Sequence, residues 1–177
     1  MLGVLLALAV SEWQEDRHDR ERTEAALVNV RAELEGNLQI LEIVHSNNVA
    51  LVDRVADETA ELSQNQFLPA LQISDSAWTT LKNTGLANFV DLELMEALSE
   101  TYSLMEVYRR AGYSLVDANM TVLATATAAG QDIAKIDDTS LFAINFVKFF
   151  ELIVDVESAL MDSHKSALAS TGLADAD

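Results

Sequence analysis

Two Glu-x-x-His repeats, Glu15-Asp-Arg-His18 and Glu42-Ile-Val-His45, are the residues whose types and spacing come nearest to catalytic chemistry. A glutamate and a histidine three positions apart share one face of a helix, and two such motifs on facing helices of a bundle can hold a carboxylate-bridged metal pair. Here both motifs fall on one long helical stretch, separated by about 40 Å at 1.5 Å per residue. Glu42 also directly follows the apolar position Leu41, which points it outward, and Glu15 and His18 fall on the exposed side of Trp13. A di-metal carboxylate bundle enzyme is therefore the remotest reading. The run Asp162-Ser163-His164 suggests a triad fragment, but its members are adjacent in sequence and bring no activated nucleophile or oxyanion device. A cationic pair near a helix C-terminus explains His164 and Lys165 more simply. Gly130 is isolated and Gly85 has a helix-capping explanation, so no phosphate-cradling loop is expected. With no cysteine, thiol catalysis, thiolate metal sites and disulfides are all excluded. The sequence thus predicts a noncatalytic chain with no cofactor and no metal. Trp78, Tyr102, Tyr108 and Tyr113 remain either core residues at helical spacing or the lining of a small-ligand pocket.

The elements that must position these residues are helices. From Leu27 the apolar pattern repeats by sevens, with Leu27, Leu34, Leu41, Asn48, Val55 and Leu62 in one row and Val30, Asn37, Val44, Leu51 and Glu58 in the next. Leu38, Ile40 and Val52 widen this stripe beyond a two-stranded seam, which favours a bundle over a dimeric coiled coil. Gly36 is the weakest point of the helix. Asn37, Asn48 and Glu58 interrupt the rows, either fixing register as buried polar groups or facing water where the bundle opens. Pro69, the chain's one proline, follows Ser63-Gln-Asn-Gln66 and should end the helix. Ser74 or Ser76 can cap a short helix through Trp78 and Leu81, closed by Gly85 in a left-handed conformation with Leu86 packed over it.

Asp91 can cap the next helix, whose apolar row runs through Leu94, Leu98, Thr101, Met105, Tyr108, Gly112, Leu115, Asn119 and Val122 to about Thr127, with Glu93, Glu96, Glu100, Ser103, Glu106 and Arg110 on its wet side. Residues 128–138 read as a connection ending in an Asp cap. In the last helix Phe142, Phe146, Phe149, Ile153, Val156 and Leu160 should be buried, while Lys148, Glu151, Asp155, Ser158 and Asp162 bring polar groups too often for a membrane span. The expected fold is all-α: an antiparallel up-down bundle of three long helices plus one short helix.

Composition sets the class of partner. With 29 acidic and 11 basic residues and a net charge of -18, the chain repels phosphate backbones and is not expected to bind nucleic acid. Arg17, Arg20, Arg22 and Arg31 are interleaved with Glu12, Glu15, Asp16, Asp19, Glu21 and Glu24, so no polybasic lipid patch forms. Ahead of them, Leu2, Val4, Leu5, Leu6, Leu8 and Val10 form an apolar run closed by Trp13, the pattern of the outgoing end of a membrane helix. The run is shorter than the roughly 20 residues that cross a bilayer, so it either continues a helix that begins upstream or rests in the interface. Gly3 and Ala7 form a small-x-x-x-small pair that lets another membrane helix approach. The reading divides the chain into residues 1–12, the C-terminal part of a transmembrane helix, residues 13–169, the bundle, and residues 170–177, a tail.

The pattern Gly3-x-Leu5-x-Ala7-Leu8-x-x-x-x-Trp13-x-Glu15-x-Arg17, followed by a long charged helix and by Ser76-Ala-Trp-Thr-Thr-Leu-Lys-Asn-Thr-Gly85, resembles an uncharacterised family of bacterial single-pass proteins. Members of that family look like a basic N-terminus, a complete membrane helix ending in an Asn-x-Trp-x-Glu-x-Arg motif, and a helical domain without assigned activity. Ser11 stands here at the motif's Asn position, and the first half of the membrane helix is missing. The resemblance implies a truncated start, a single-pass inner-membrane location and a bundle on the periplasmic side, and it carries over no catalytic residue.

The function expected is that of an interaction or accessory subunit of a membrane assembly, bound to lipid through its N-terminal helix and to a protein partner or a second copy of itself. The alternative is a sensory domain that binds a small ligand between its helices. Replacing Phe146 by Ala should cost about 3–5 kcal/mol in thermal or denaturant unfolding, and an unchanged midpoint would remove Phe146 from the core.

Overall fold

The computed structural model describes residues 2–56, 72–128 and 141–171, with side chains described at 10–53, 72–114 and 148–171 and at some positions of 116–128. Its described elements are α1 (Leu2–Ala56), α2 (Ser76–Asn83), a 3-10 turn (Leu86–Phe89), α3 (Leu92–Ala128) and α4 (Leu141–Ser170). The described residues contain no strand, and the chain is an all-α helical bundle of three long helices and one short one.

The heptad rows of α1 become its buried stripe. Val30, Leu34, Leu41 and Leu51 are buried, and so are the polar interruptions Asn37 and Asn48 and, one repeat earlier, Thr23. Leu27, Ile40 and Val44 pack half-buried beside them. Val55, Glu58 and Leu62 lie outside the described side chains, as does Pro69. The helix passes through Gly36 without a break.

Cross-helix pairs set the directions of the long helices. Along α1, Asn48 bonds Glu157 of α4 and the later Leu51 packs with the earlier Phe150, so α1 and α4 run antiparallel. Thr101 meets Ser163 and Tyr108 meets Glu157, which makes α3 antiparallel to α4 as well. Glu33 pairs with Tyr102 and Asn37 with Met105, so α1 and α3 run parallel. One core holds them together, built from Val30, Leu34 and Leu41 of α1, Trp78 and Leu81 of α2, Leu98, Met105 and Tyr108 of α3, and Ile153, Leu160 and Ala167 of α4.

Local signals act as expected at two boundaries. Gly85 adopts φ 75°, a left-handed conformation that only glycine takes without a Cβ penalty, and it turns the chain so that Leu86 is buried. The Asp91 carboxylate accepts the Glu93 backbone N–H at 2.9 Å and starts α3. On α3, Leu94, Leu98, Thr101, Met105 and Tyr108 are buried as the spacing requires, joined by Tyr102; Leu115, Asn119 and Val122 lie outside the described side chains.

Two expectations need correction. The Ser74 hydroxyl reaches only the first N–H of α2, that of Ser76, at 3.4 Å; Ser76 caps nothing, and the next two N–H groups, of Ala77 and Trp78, are taken by a carboxylate from α1. On α4 the buried stripe is Phe150, Ile153, Glu157, Leu160, His164 and Ala167, while Phe149 and Val156 flank it half-buried. The three-four spacing centred on Ile153 and Leu160 continues equally well through 157 and 164, and the apolar types at 149 and 156 mask it in the sequence. Phe142 and Phe146 lie outside the described side chains, as do residues 129–140 and 172–177 of the expected connection and tail.

Residues 10–22 of α1 are exposed apart from half-buried Asp19, and Thr23 is the first buried side chain among those described. Its hydroxyl is 2.8 Å from the Asp19 carbonyl and 3.4 Å from that of Leu86. No described helix is long and apolar enough to cross a membrane.

A Cβ added at Gly36 would meet nothing within 4 Å. Gly36→Ala should therefore raise stability by about 0.5–1 kcal/mol through helix propensity. Urea unfolding measures this, and a loss of stability would show that α1 needs glycine there.

Candidate functional site

Two glutamates that the sequence reading left out of the core organise its polar interior. Glu33, beside Leu34 on α1, is half-buried and reaches the N-terminus of α2. Its Oε2 accepts the Ala77 N–H at 2.9 Å and the hydroxyls of Ser74 at 2.8 Å and Ser76 at 2.9 Å. Its Oε1 accepts the Trp78 N–H at 3.3 Å and the Tyr102 hydroxyl at 2.8 Å. Burial pushes the Glu33 carboxyl up, but the donors from Ala77, Tyr102, Ser74 and Ser76 outweigh it and hold the group below the ordinary carboxylate value. Tyr102 shifts the other way: burial, the bond to Glu33 and the charges of Glu33 and Asp75 all raise its phenol.

Asn37, one turn further along α1, grips the segment ahead of α2 as a second backbone would. Its Nδ2 donates to the Ser74 carbonyl at 2.7 Å and its Oδ1 accepts the Ser74 N–H at 2.8 Å. Arg109 of α3 holds the same segment, with Nη1 3.4 Å from Asp75 and Nη2 3.3 Å from the Ile73 carbonyl. Trp78 then stacks on Tyr102, centroids 5.0 Å apart and planes 5° from parallel, and the Lys82 ammonium lies 4.9 Å from the Trp78 ring centre.

Glu157 of α4 is the second centre, with no exposure at all. Its Oε1 accepts the Asn48 Nδ2–H at 2.7 Å and the Tyr108 hydroxyl at 2.8 Å, and its Oε2 lies 3.3 Å from His45 Nδ1. Burial raises the Glu157 carboxyl above its ordinary value, opposed by bonds from Tyr108, Asn48 and His45 and by the charge of His45. One turn C-terminal to Leu160 lies His164, also fully buried. Its Nδ1 sits 2.8 Å from the Leu160 carbonyl, which places a proton on Nδ1 and leaves Nε2 as a buried acceptor without a partner among the described residues. Burial lowers the His164 imidazole, with the Leu160 carbonyl opposing. His164 is thus a neutral core residue, not a cation serving the helix end, and Lys165 is exposed beside it.

The residues singled out by spacing disperse. Glu15, His18 and Glu42 are exposed, and His45 turns to Glu157 instead of Glu42. Among the described residues no group of three or more His, Cys, Asp or Glu is arranged to hold a metal ion. Among the described residues the aromatics do not converge on a cavity: Trp78 and Tyr102 cover each other, Tyr108 is buried on Glu157, and Tyr113 is 55% exposed. A surface depression of about 180 Å³, lined by Ala26, Asn29, Ser76, Ala77 and Thr80, includes none of them. What the interior can do chemically is bind a proton between a carboxyl and an imidazole.

Glu157 and His164 were legible in principle, since both fall on the stripe that continues from Ile153 and Leu160; their polar type argued against reading them so. Glu33 had no comparable signal, because its partners lie 41–69 positions away. No family model, curated protein or solved structure matches the chain.

Glu33→Ala should cost about 2 kcal/mol, the scale of losing hydrogen bonds to a charged acceptor. Because the Glu33 carboxyl is lowered in the fold, its contribution is present above the ordinary value of 4.5 and fades as pH falls through the folded value. Denaturant titrations at several pH values should therefore show the gap between wild type and variant closing in acid.

Proposed function

We propose that this chain is a noncatalytic, membrane-anchored helical bundle that serves as an interaction or accessory subunit of a membrane assembly. One observation carries the reading: α1 is a single unbroken helix from Leu2 to Ala56, and its residues 10–22 extend from the bundle with almost every side chain in water. A helix that runs on past its own core needs another environment for its apolar end, and Leu2, Val4, Leu5, Leu6, Leu8 and Val10 suit lipid. Trp13, 61% exposed, then occupies the interfacial position, with the Arg17 guanidinium 5.9 Å from its ring centre. Ion pairs Arg17–Glu21 at 3.0 Å and Arg22–Asp19 at 3.4 Å keep the following turns solvated.

The tight mutual packing of Trp78 and Tyr102 favours this reading over a small-ligand sensor. A partner protein or a second copy would meet the bundle at a height set by the helix, about 20 Å from residue 10 to residue 22 at 1.5 Å per residue. The likeness to single-pass bacterial proteins supports placing that bundle on the periplasmic side of the inner membrane.

Vesicle flotation tests the anchor. The full chain should float with phospholipid vesicles and the Leu5→Asp/Leu8→Asp double variant should stay at the bottom, both with the same helical circular dichroism. Equal partitioning of the two would end the reading. Crosslinking in native membranes should then recover a stable partner or a homo-oligomer.

A further inference from the structure

Glu157 links three helices through one carboxyl group. Asn48 and His45 approach from α1, Tyr108 approaches from α3, and the carboxyl belongs to α4. Burying an ionised carboxylate without a cation is costly, even when it is hydrogen-bonded. Among the described residues, the one neighbour that can relay a proton to it is His45, whose side chain keeps 22% exposure while that of Glu157 keeps none. A proton held on Glu157 Oε2 and donated to His45 Nδ1 across their 3.3 Å gap leaves the pair neutral overall. Losing that proton to solvent past the exposed edge of His45 leaves a net negative charge sealed among Tyr108, Asn48 and the core.

We propose that Glu157 and His45 form a proton-operated latch: the shared proton fastens α1 to the α3–α4 pair, and its release as pH rises loosens that grip. The latch does not rest on the membrane reading. Among the described residues, the titratable groups facing the carboxyl are His45 from α1 and Tyr108 from α3. Glu42 and Asp53 of α1 and Glu151, Asp155 and Asp162 of α4 are exposed, and Arg109 of α3 is committed to Asp75 and Glu106.

The sign follows from linkage. Glu157 is raised in the fold, so its contribution is complete below the ordinary value of 4.5 and is lost as pH rises through the folded value. His164, lowered in the fold, works oppositely: its contribution is present above 6.5 and lost as pH falls. A test must therefore compare variants that share His164.

Glu157→Gln keeps an oxygen for Tyr108 and Asn48 and offers an N–H to His45 without binding a proton. Hydrogen exchange of the full chain, corrected for intrinsic rates, should show opening of α4 around residue 157 rising by up to about tenfold per pH unit in wild type relative to Glu157→Gln over part of the range from about pH 5 to about pH 9. Melting temperatures should diverge in the same sense, with the variant gaining on wild type as pH rises. A gap independent of pH would mean a structural bond only and would overturn the latch. Should the variant fail to fold, carboxyl carbon NMR of wild type decides, because a Glu157 signal titrating at the ordinary carboxylate value removes the proton on which the latch depends.

Discussion

A carboxylate sealed from water must find its hydrogen-bond partners inside the protein, and Glu157 finds them on two other helices. Asn48 and His45 come from α1 and Tyr108 from α3, so the three long helices can meet only in a register that brings those groups to one point. Leucine contacts alone would allow the helices to slide by a turn at modest cost, since one apolar layer resembles the next. A polar junction does not tolerate that slip, because every alternative register leaves a charge or a donor unpaired.

Glu33 does for the short helix what Glu157 does for the long ones. An eight-residue helix is marginal alone, and α2 has no side-chain cap of its own. The Glu33 carboxylate supplies the cap from α1 and ties it to Tyr102, while Asn37 completes the backbone pairing of Ser74. The α2 segment is thus a tertiary product: its helix start is completed by side chains that belong to α1. The stacking of Trp78 on Tyr102 follows from that docking.

Repeating features were legible in the sequence and convergent ones were not. The sevenfold rows of α1 translate directly into burial at Val30, Leu34, Leu41 and Leu51, and the row of α3 does the same from Leu94 to Tyr108. Short-range chemistry was equally visible, as Gly85 and Asp91 show. The seam of α4 was misplaced because two spacings compete there, one marked by Phe149 and Val156 and the other containing Glu157 and His164. Reading polar residues as wet is sound when each is weighed singly, and it fails where several meet. The same reasoning sent Glu42 outward, where the helix does point it, and gave no sign that His45 turns to Glu157.

The continuity of α1 has a mechanical corollary. About 30 Å of helix separates Thr23 from Leu2 at 1.5 Å per residue, and an unbroken backbone ladder makes it a stiff lever. Pivoting the base by about 10° would carry the far end through about 5 Å at that radius. Small angular adjustments among the packed helices would be geometrically magnified at the tip, and a sideways pull there would be delivered to the junction as torque.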